Sequence, residues 1–591
     1  MKKLKWLKNL THTLTGLTDA ITRFPLTTLF LFGTVFINSY MISNEKDGSK
    51  ILLTFVVGAF LSAVFQVVYD RFFSKLSIQV ILMGMVVLLT AGYYLIIRQA
   101  PDPGMEIEMR TFVALFALLI AFIWVPVIRS NTSFNKSFMV SFKSFFNSLF
   151  FSGVIFGGIS IILTAIDQLI FAIDSSAYAH TANFIFILFA PMYFLSLIPK
   201  YPGANEKNKP RKETIDKAAS CPKFLEILLS YILIPLLAVF TLILVTYIIK
   251  NIGGEFWTDN LLEPMLVSYA ITVILVYILV SEIENKFTAT FRMIFPKVLV
   301  PIVLFQIMSS IFSLADTGVT HTRYYVILFG IFAAVAGILL SLLPVQKNGV
   351  IAAMLIIFSA VSIVPPVDAF TISRTSQSDI LKNVLVKNNM LEHNKIRPNA
   401  SISDKDKQII TNSVQYLYMM GYTKNMKWLP DDFNVYEDFH DTFGFDEYQK
   451  QDNFTQSIYL DLEQSTPITI TGFDTFAKIE ILMSDQHSDD KVFDMVKEGK
   501  EYTLFKNFQQ DHYDLQLKDS NDQTLISYNT QKIFDKFSHY KPSKGHISAE
   551  EATFTTENDR AKLTIVVQNL GIEQQDAQYN NAMLFVFIQI K

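Results

Sequence analysis

Residues 76–97 read LSIQVILMGMVVLLTAGYYLII, an apolar run without a single charged side chain. About 20 such residues satisfy their own backbone as a helix and cross roughly 30 Å of hydrocarbon, a length that a soluble core rarely needs. The same pattern recurs at Phe24–Ile42, Ile51–Val68, Thr111–Ile128, Leu149–Phe171, Thr181–Ile198, Phe224–Ile249, Leu262–Val280, Phe295–Leu314, Tyr324–Leu343 and Gly349–Val364. Nothing after Val364 repeats it. The expected fold class is a polytopic α-helical membrane bundle of about eleven transmembrane helices, followed by an extracytoplasmic α+β, β-rich domain.

Composition agrees with lipid as the main solvent. The chain is 51% hydrophobic and holds 52 Phe, most of them in the apolar runs. Its net charge of −3 hides an asymmetry: 27 Lys plus Arg against 19 Asp plus Glu up to Val364, then 23 against 34. The basic residues lie in short loops rather than on a folded domain, which argues against nucleic-acid binding. Cys221 is the single cysteine, so no intramolecular disulfide forms.

Basic residues are retained on the cytoplasmic side during insertion, and this fixes the expected orientation. With the amino terminus inside, 21 Lys and Arg fall in inner segments and six in outer ones, namely Lys46, Lys50, Arg98, Arg110, Lys250 and Arg323. Eleven crossings then place residues 365–591 outside. Residues 1–23 carry Leu10, Leu14, Leu17 and Ile21 at helical spacing beside Trp6 and four lysines, the pattern of an amphipathic helix in the inner headgroup layer. Residues 199–223 form a basic, Pro- and Gly-containing inner loop between six spans and five.

Beyond Pro365-Pro366 the period changes. Helices are expected over 375–445, on the stripes Ile380, Leu381, Val384, Leu385 and Ile409, Ile410, Val414, Leu417. Strands are expected over 455–590, where Ile458, Leu460 and Leu462, Ile468 and Ile470, Ile479 and Ile481, Tyr513, Leu515 and Leu517, and Leu563, Ile565 and Val567 alternate. Ala582–Ile590 is apolar on both faces and reads as a buried closing strand.

Asp167 stands late in the fifth span, where a carboxylate in lipid marks either a functional site or an interfacial position. Gly153 and Gly157 in the same span permit close helix packing. Asp485, His487, Asp489 and Asp490 alternate oxygen and nitrogen donors, but the stretch lacks a calcium loop's glycine and terminal glutamate and reads as a solvated turn. Neither a metal nor another cofactor is expected, because no Walker loop, nucleophile elbow, His-Glu-x-x-His motif or cysteine pair occurs.

Two stretches carry a family resemblance. Thr322-Arg323-Tyr324-Tyr325-Val326 enters the tenth span, and Ala369-Phe370-Thr371-Ile372-Ser373-Arg374-Thr375-Ser376-Gln377 follows the last one. They resemble the Arg-Tyr entry and the Ala-Phe-x-x-Ser-x-x-Ser-Gln segment of a family of bacterial multi-pass membrane proteins, domain of unknown function 4153; Arg23-Phe-Pro-Leu26 also fits. The resemblance implies a multi-pass envelope protein and supplies no reaction.

The expected function is that of a non-enzymatic membrane protein of the bacterial cell envelope, with the lipid bilayer and an envelope protein or cell-wall ligand as partners. The alternative is a polytopic glycosyl or lipid-linked transferase using Glu45 and Asp47, with a transporter placed after both. Arg323, Tyr324 and Arg374 join Asp167 as candidate functional residues, the two arginines through bidentate pairing with carboxylates that docks the outer domain on the bundle.

Overall fold

A computed structural model describes residues 16–44, 46–98, 104–201, 209–251, 262–430, 433–448, 457–463, 467–485, 490–509, 512–540, 545–573 and 577–591. The first fifteen positions of the expected amphipathic helix and residues 486–489 of the acidic turn lie outside them; residues 16–23 are helical. The chain divides into two compact units, Met1–Tyr448 and Gln449–Lys591.

Among its described residues the first unit holds eleven helices long and apolar enough to cross a membrane: Pro25–Asn44, Ser49–Phe72, Leu76–Ile97, Met105–Val127, Phe134–Leu169, Ser176–Ser196, Lys223–Lys250, Glu263–Val280, Lys286–Leu314, His321–Leu342 and Val345–Ile363, called spans one to eleven below. The chain is a multi-pass membrane protein. Spans five and nine begin well before the apolar runs do, because capping residues start each helix early. Ser133 accepts from the Lys136 N–H, and Asn285 closes a reciprocal box with Thr288. Spans six and seven widen into π turns at Asn183–Phe189 and Leu228–Leu233. Each π turn precedes a proline, Pro191 or Pro235, whose ring removes a backbone donor and crowds the carbonyl one turn back.

Arg23 fastens one end of the bundle. Its guanidinium donates to Asp70 at 2.8 Å and to the Ile198 carbonyl at 2.6 Å, and Gln66 donates to the other Asp70 oxygen at 3.0 Å. Beside it Phe24 is fully buried. The Arg-Phe pair of that motif thus joins spans one, two and six.

Three further helices, Ala369–Lys387, Asp404–Met419 and Val435–Phe443, belong to the same unit. Their shared core includes Phe370, Leu381, Leu385, Ile410, Val414, Leu417 and Phe443, and Met109, Tyr324 and Tyr325 from the spans pack against it. The first of these helices starts earlier than position 375, since Asp368 caps it by accepting from the Phe370 and Thr371 N–H groups.

Among its described residues the second unit has ten strands: β1 Ser457–Leu462, β2 Thr475–Leu482, β3 Asp490–Lys497, β4 Lys500–Gln509, β5 His512–Asp519, β6 Thr524–Asn529, β7 His546–Ile547, β8 Thr553–Glu557, β9 Ala561–Glu573 and β10 Asn581–Ile590. One sheet runs β2-β10-β9-β1-β7, with β8 also on β9, and the other runs β3-β4-β5-β6. Both contribute to a single apolar core that includes Ile458, Ile481, Leu504, Leu515, Ile565 and Leu584. β10 is apolar on both faces because it is interior, paired with β9 on one side and β2 on the other. Ile468 and Ile470, expected in a strand, lie in irregular backbone. Two alternating residues are too few to secure a ladder without a partner in register.

This unit owns its core and is acidic, so residues 449–591 expressed alone should be soluble and fold without disulfides. Circular dichroism is expected to show a cooperative thermal transition; a gradual, non-cooperative loss of signal would refute the expectation.

Candidate functional site

The residues of the post-span motif converge on the starts of spans four and ten. Glu106 and Arg110 stand one turn apart at the beginning of span four, so both side chains leave the same helix face. Arg110 donates to Glu106 at 3.0 Å through Nε, to Asp368 Oδ1 at 2.6 Å through Nη2, and to the Ile363 carbonyl through Nη1. Its guanidinium also lies 5.1 Å from the centre of the Phe370 ring. A planar fork with several donors suits this task, which a lysine's point charge does not.

Asp368 is fully buried, and one of its oxygens both receives Arg110 and caps the following helix. Burial opposes its ionisation, but hydrogen bonds from Thr371 and Phe370 and the Arg110 charge prevail, holding the carboxyl below its ordinary range. The second Glu106 oxygen accepts from the Tyr422 hydroxyl at 2.8 Å. That phenol is pushed well up, first by burial and then by the adjacent carboxylate. Arg374 lies with its guanidinium 5.5 Å from the Tyr422 ring centre.

A second strand of contacts runs through His321. Its backbone N–H donates to the Tyr416 hydroxyl at 3.1 Å, its Nδ1 lies 3.0 Å from the same oxygen, and Tyr416 donates to Ser373 at 2.9 Å. The imidazole stacks between Phe370 and Tyr416 at 5.7 and 5.8 Å. Tyr324 donates to the Val367 carbonyl at 2.6 Å. One helical turn further along, Ser376 accepts from the Val319 N–H at 3.0 Å, and Gln377 donates to the Thr317 carbonyl at 2.8 Å.

Every fixed position of the Ala-Phe-x-x-Ser-x-x-Ser-Gln segment therefore has a task. Ala369 and Phe370 fill the core, Ser373 meets Tyr416, and Ser376 and Gln377 grip the loop between spans nine and ten. Phe370, Ser373 and Gln377 follow helical spacing, so one face does most of this work.

Arg323 donates to the Ser313 carbonyl at 2.8 Å and to the Thr317 hydroxyl, at the carboxyl end of span nine, where a cation complements the helix dipole. A guanidinium paired with two carboxylates, Glu106 and Asp368, is found at Arg110. Asp167 is exposed and closes the turn after span five by accepting from the Ile173 N–H at 2.7 Å. Glu106, Arg110, His321, Asp368, Tyr416 and Tyr422 were missed in the sequence. A Glu-Arg pair one turn apart at a span boundary, and an aspartate directly before an apolar helix start, were the available signals. Among the described residues no group of three His, Cys, Asp or Glu side chains could hold a metal ion. Arg110 pairs with both carboxylates, and the Tyr324, Tyr416 and Tyr422 hydroxyls find partners, while among the described residues Asp368 Oδ2 is buried without one. The contacts together clamp the chain behind the last span to the spans.

Eleven apolar helices and a clamp behind the last of them define a class, the multi-pass membrane proteins with a helical cap fixed to the bundle. The model of the family described as Domain of unknown function (DUF4153) matches residues 26–392, more than half of the chain, and the chain belongs to that family. The matched segment takes in the spans and the clamp helix and stops ahead of the strand-rich unit. No curated protein and no solved structure matches the chain.

Proposed function

We propose that this is a non-enzymatic membrane protein of the bacterial cell envelope, with a cytoplasmic amino terminus, whose residues 365–591 face the other side and present the strand-rich unit to an envelope protein or cell-wall ligand. The clamp supports this reading most directly: buried ionic and aromatic contacts anchor the chain behind the last span to the bundle itself. The 21-to-six bias of basic residues supports the orientation. Of the two acids a transferase would use, Glu45 lies outside the described residues, and Asp47 accepts from the Ser49 hydroxyl and from the Ser49 N–H at 2.9 Å, which holds its carboxyl low and engages it at the start of span two.

Single cysteines at Asn205 and Ser520, introduced into a Cys221→Ser background, test the orientation with a membrane-impermeant maleimide on intact cells. Position 520 should be labelled and position 205 protected. The reverse pattern would overturn the proposal.

A further inference from the structure

Strand β2 forms an edge of its sheet. Among the described residues it pairs with β10 alone, in a regular antiparallel register that sets Ile479 against Leu584 and Leu482 against Asn581. Backbone bonds in such a pair alternate along the strand. The Met483 N–H donates to the carbonyl of Asn580 opposite it at 3.0 Å, so Ile481, Ile479 and Ala477 turn their backbone groups toward β10. Leu482, Glu480, Lys478 and Phe476 turn theirs away from the sheet. An edge of this kind is a template for a further strand.

The side chains along it are free as well. Ile479 and Ile481 are buried, whereas Phe476 is 54% and Leu482 37% exposed, and Lys478 and Glu480 between them are exposed too. Among the described residues neither Lys478 nor Glu480 makes an ion pair or a side-chain hydrogen bond. A lone lysine guards an edge against pairing. Here the carboxylate two positions on supplies the charge that the lysine of an incoming copy needs.

Two-fold symmetry selects the register. When two copies of β2 pair antiparallel about an axis at Ile479, Lys478 of each copy lies opposite Glu480 of the other, and Phe476 opposite Leu482. These are the residues whose N–H and C=O groups point outward, so each opposed couple also exchanges backbone bonds. The Leu482 carbonyl already accepts from the Asp485 N–H at 3.1 Å and has a second lone pair for the purpose. On the inner face Ile479 meets its own copy and Ala477 meets Ile481, which continues the apolar layer. An axis at position 478 would set Lys against Lys, and one at 480 would set Glu against Glu. A slip of one residue would oppose outward side chains to inward ones. Charge, apolar matching and backbone phase thus agree in the register centred on Ile479.

We infer that β2 is a docking edge for a second copy of this chain, joining two strand-rich units into one continuous sheet about a two-fold axis at Ile479. This goes beyond the proposed function and does not rest on the orientation given there.

The test is disulfide trapping of the full chain in isolated membranes, in a Cys221→Ser background. Chains carrying Lys478→Cys and chains carrying Glu480→Cys, co-expressed and oxidised, should form a cross-linked dimer, because opposed residues lie about 5.5 Å apart at Cα, within disulfide reach. Either variant alone should cross-link at least about tenfold less, since its own copy then lies on the diagonal, roughly 7–8 Å away. Charge reversal supplies a second arm, read by native mass spectrometry in mild detergent as the dimer dissociation constant. Lys478→Glu and Glu480→Lys should each raise that constant about tenfold, because two symmetry-related pairs turn repulsive, and the Lys478→Glu/Glu480→Lys double variant should restore it. The inference is overturned if the mixed cysteines cross-link no more than either alone, if the wild type is monomeric, or if its dimer persists unchanged through both single reversals.

Discussion

Arg110→Met should destabilise the first unit by roughly 3–5 kcal/mol, the usual cost of leaving a buried carboxylate without its cation. Asp368 has no exposed surface and in this variant loses Arg110, its only ionic partner among the described residues, while the Ile363 carbonyl and Glu106 lose a donor as well. The expected readout is a lower inactivation temperature in detergent and faster proteolysis near Thr375, where the clamp helix parts from the spans. Arg110→Lys should recover only part of the loss, because one ammonium cannot serve three acceptors in a fixed plane. Asp368→Asn in the Arg110→Met background should recover more, since asparagine still caps the helix and carries no charge. A double variant no more stable than Arg110→Met would mean that the buried charge is not the source of the effect.

Gly318→Ala should have an effect of similar direction at the other end of the clamp. Gly318 ends span nine with φ +69° and ψ −178°, a region that is essentially reserved for glycine and costs other residues about 1–3 kcal/mol. A Cβ there would also lie 2.2 Å from the Ile380 side chain and 2.9 Å from the Gln377 amide. The variant must therefore break the Gln377 and Ser376 bonds to Thr317 and Val319 or move the helix. Ile380→Ala separates the two causes: combined with Gly318→Ala it should relieve the steric part and leave the backbone part. Thermal inactivation unchanged in Gly318→Ala would show that the loop is free to rearrange, and the clamp would lose this anchor.

Both effects concern contacts that no local pattern displays. The spans were legible because a hydrocarbon solvent imposes one rule on each segment by itself: about 20 apolar residues with no unsatisfied backbone. Strands such as Thr475–Leu482 and Asn581–Ile590 were legible for a similar reason, since alternation or its absence reports how many faces are buried. Ile468 and Ile470 alternate too, yet make no strand, because pairing requires a neighbour that two residues cannot specify. The clamp motif was visible as a resemblance, but the partners that give its residues a task were not.

By itself, then, the sequence determined the membrane character, the number of crossings and the change to a strand-rich region, all of which follow from short-range periodicity and the solvent each segment demands. Only the tertiary structure decided that Arg110, from the start of span four, reaches Asp368 behind span eleven, 258 positions later, and that Glu106 reaches Tyr422, 316 positions later. It also decided that Gly33 and Gly58 serve the rings of Phe55 and Phe30. A charge in sequence announces only that it needs a partner, and a glycine only that it lacks a side chain. Which atom meets that need is settled when the helices pack.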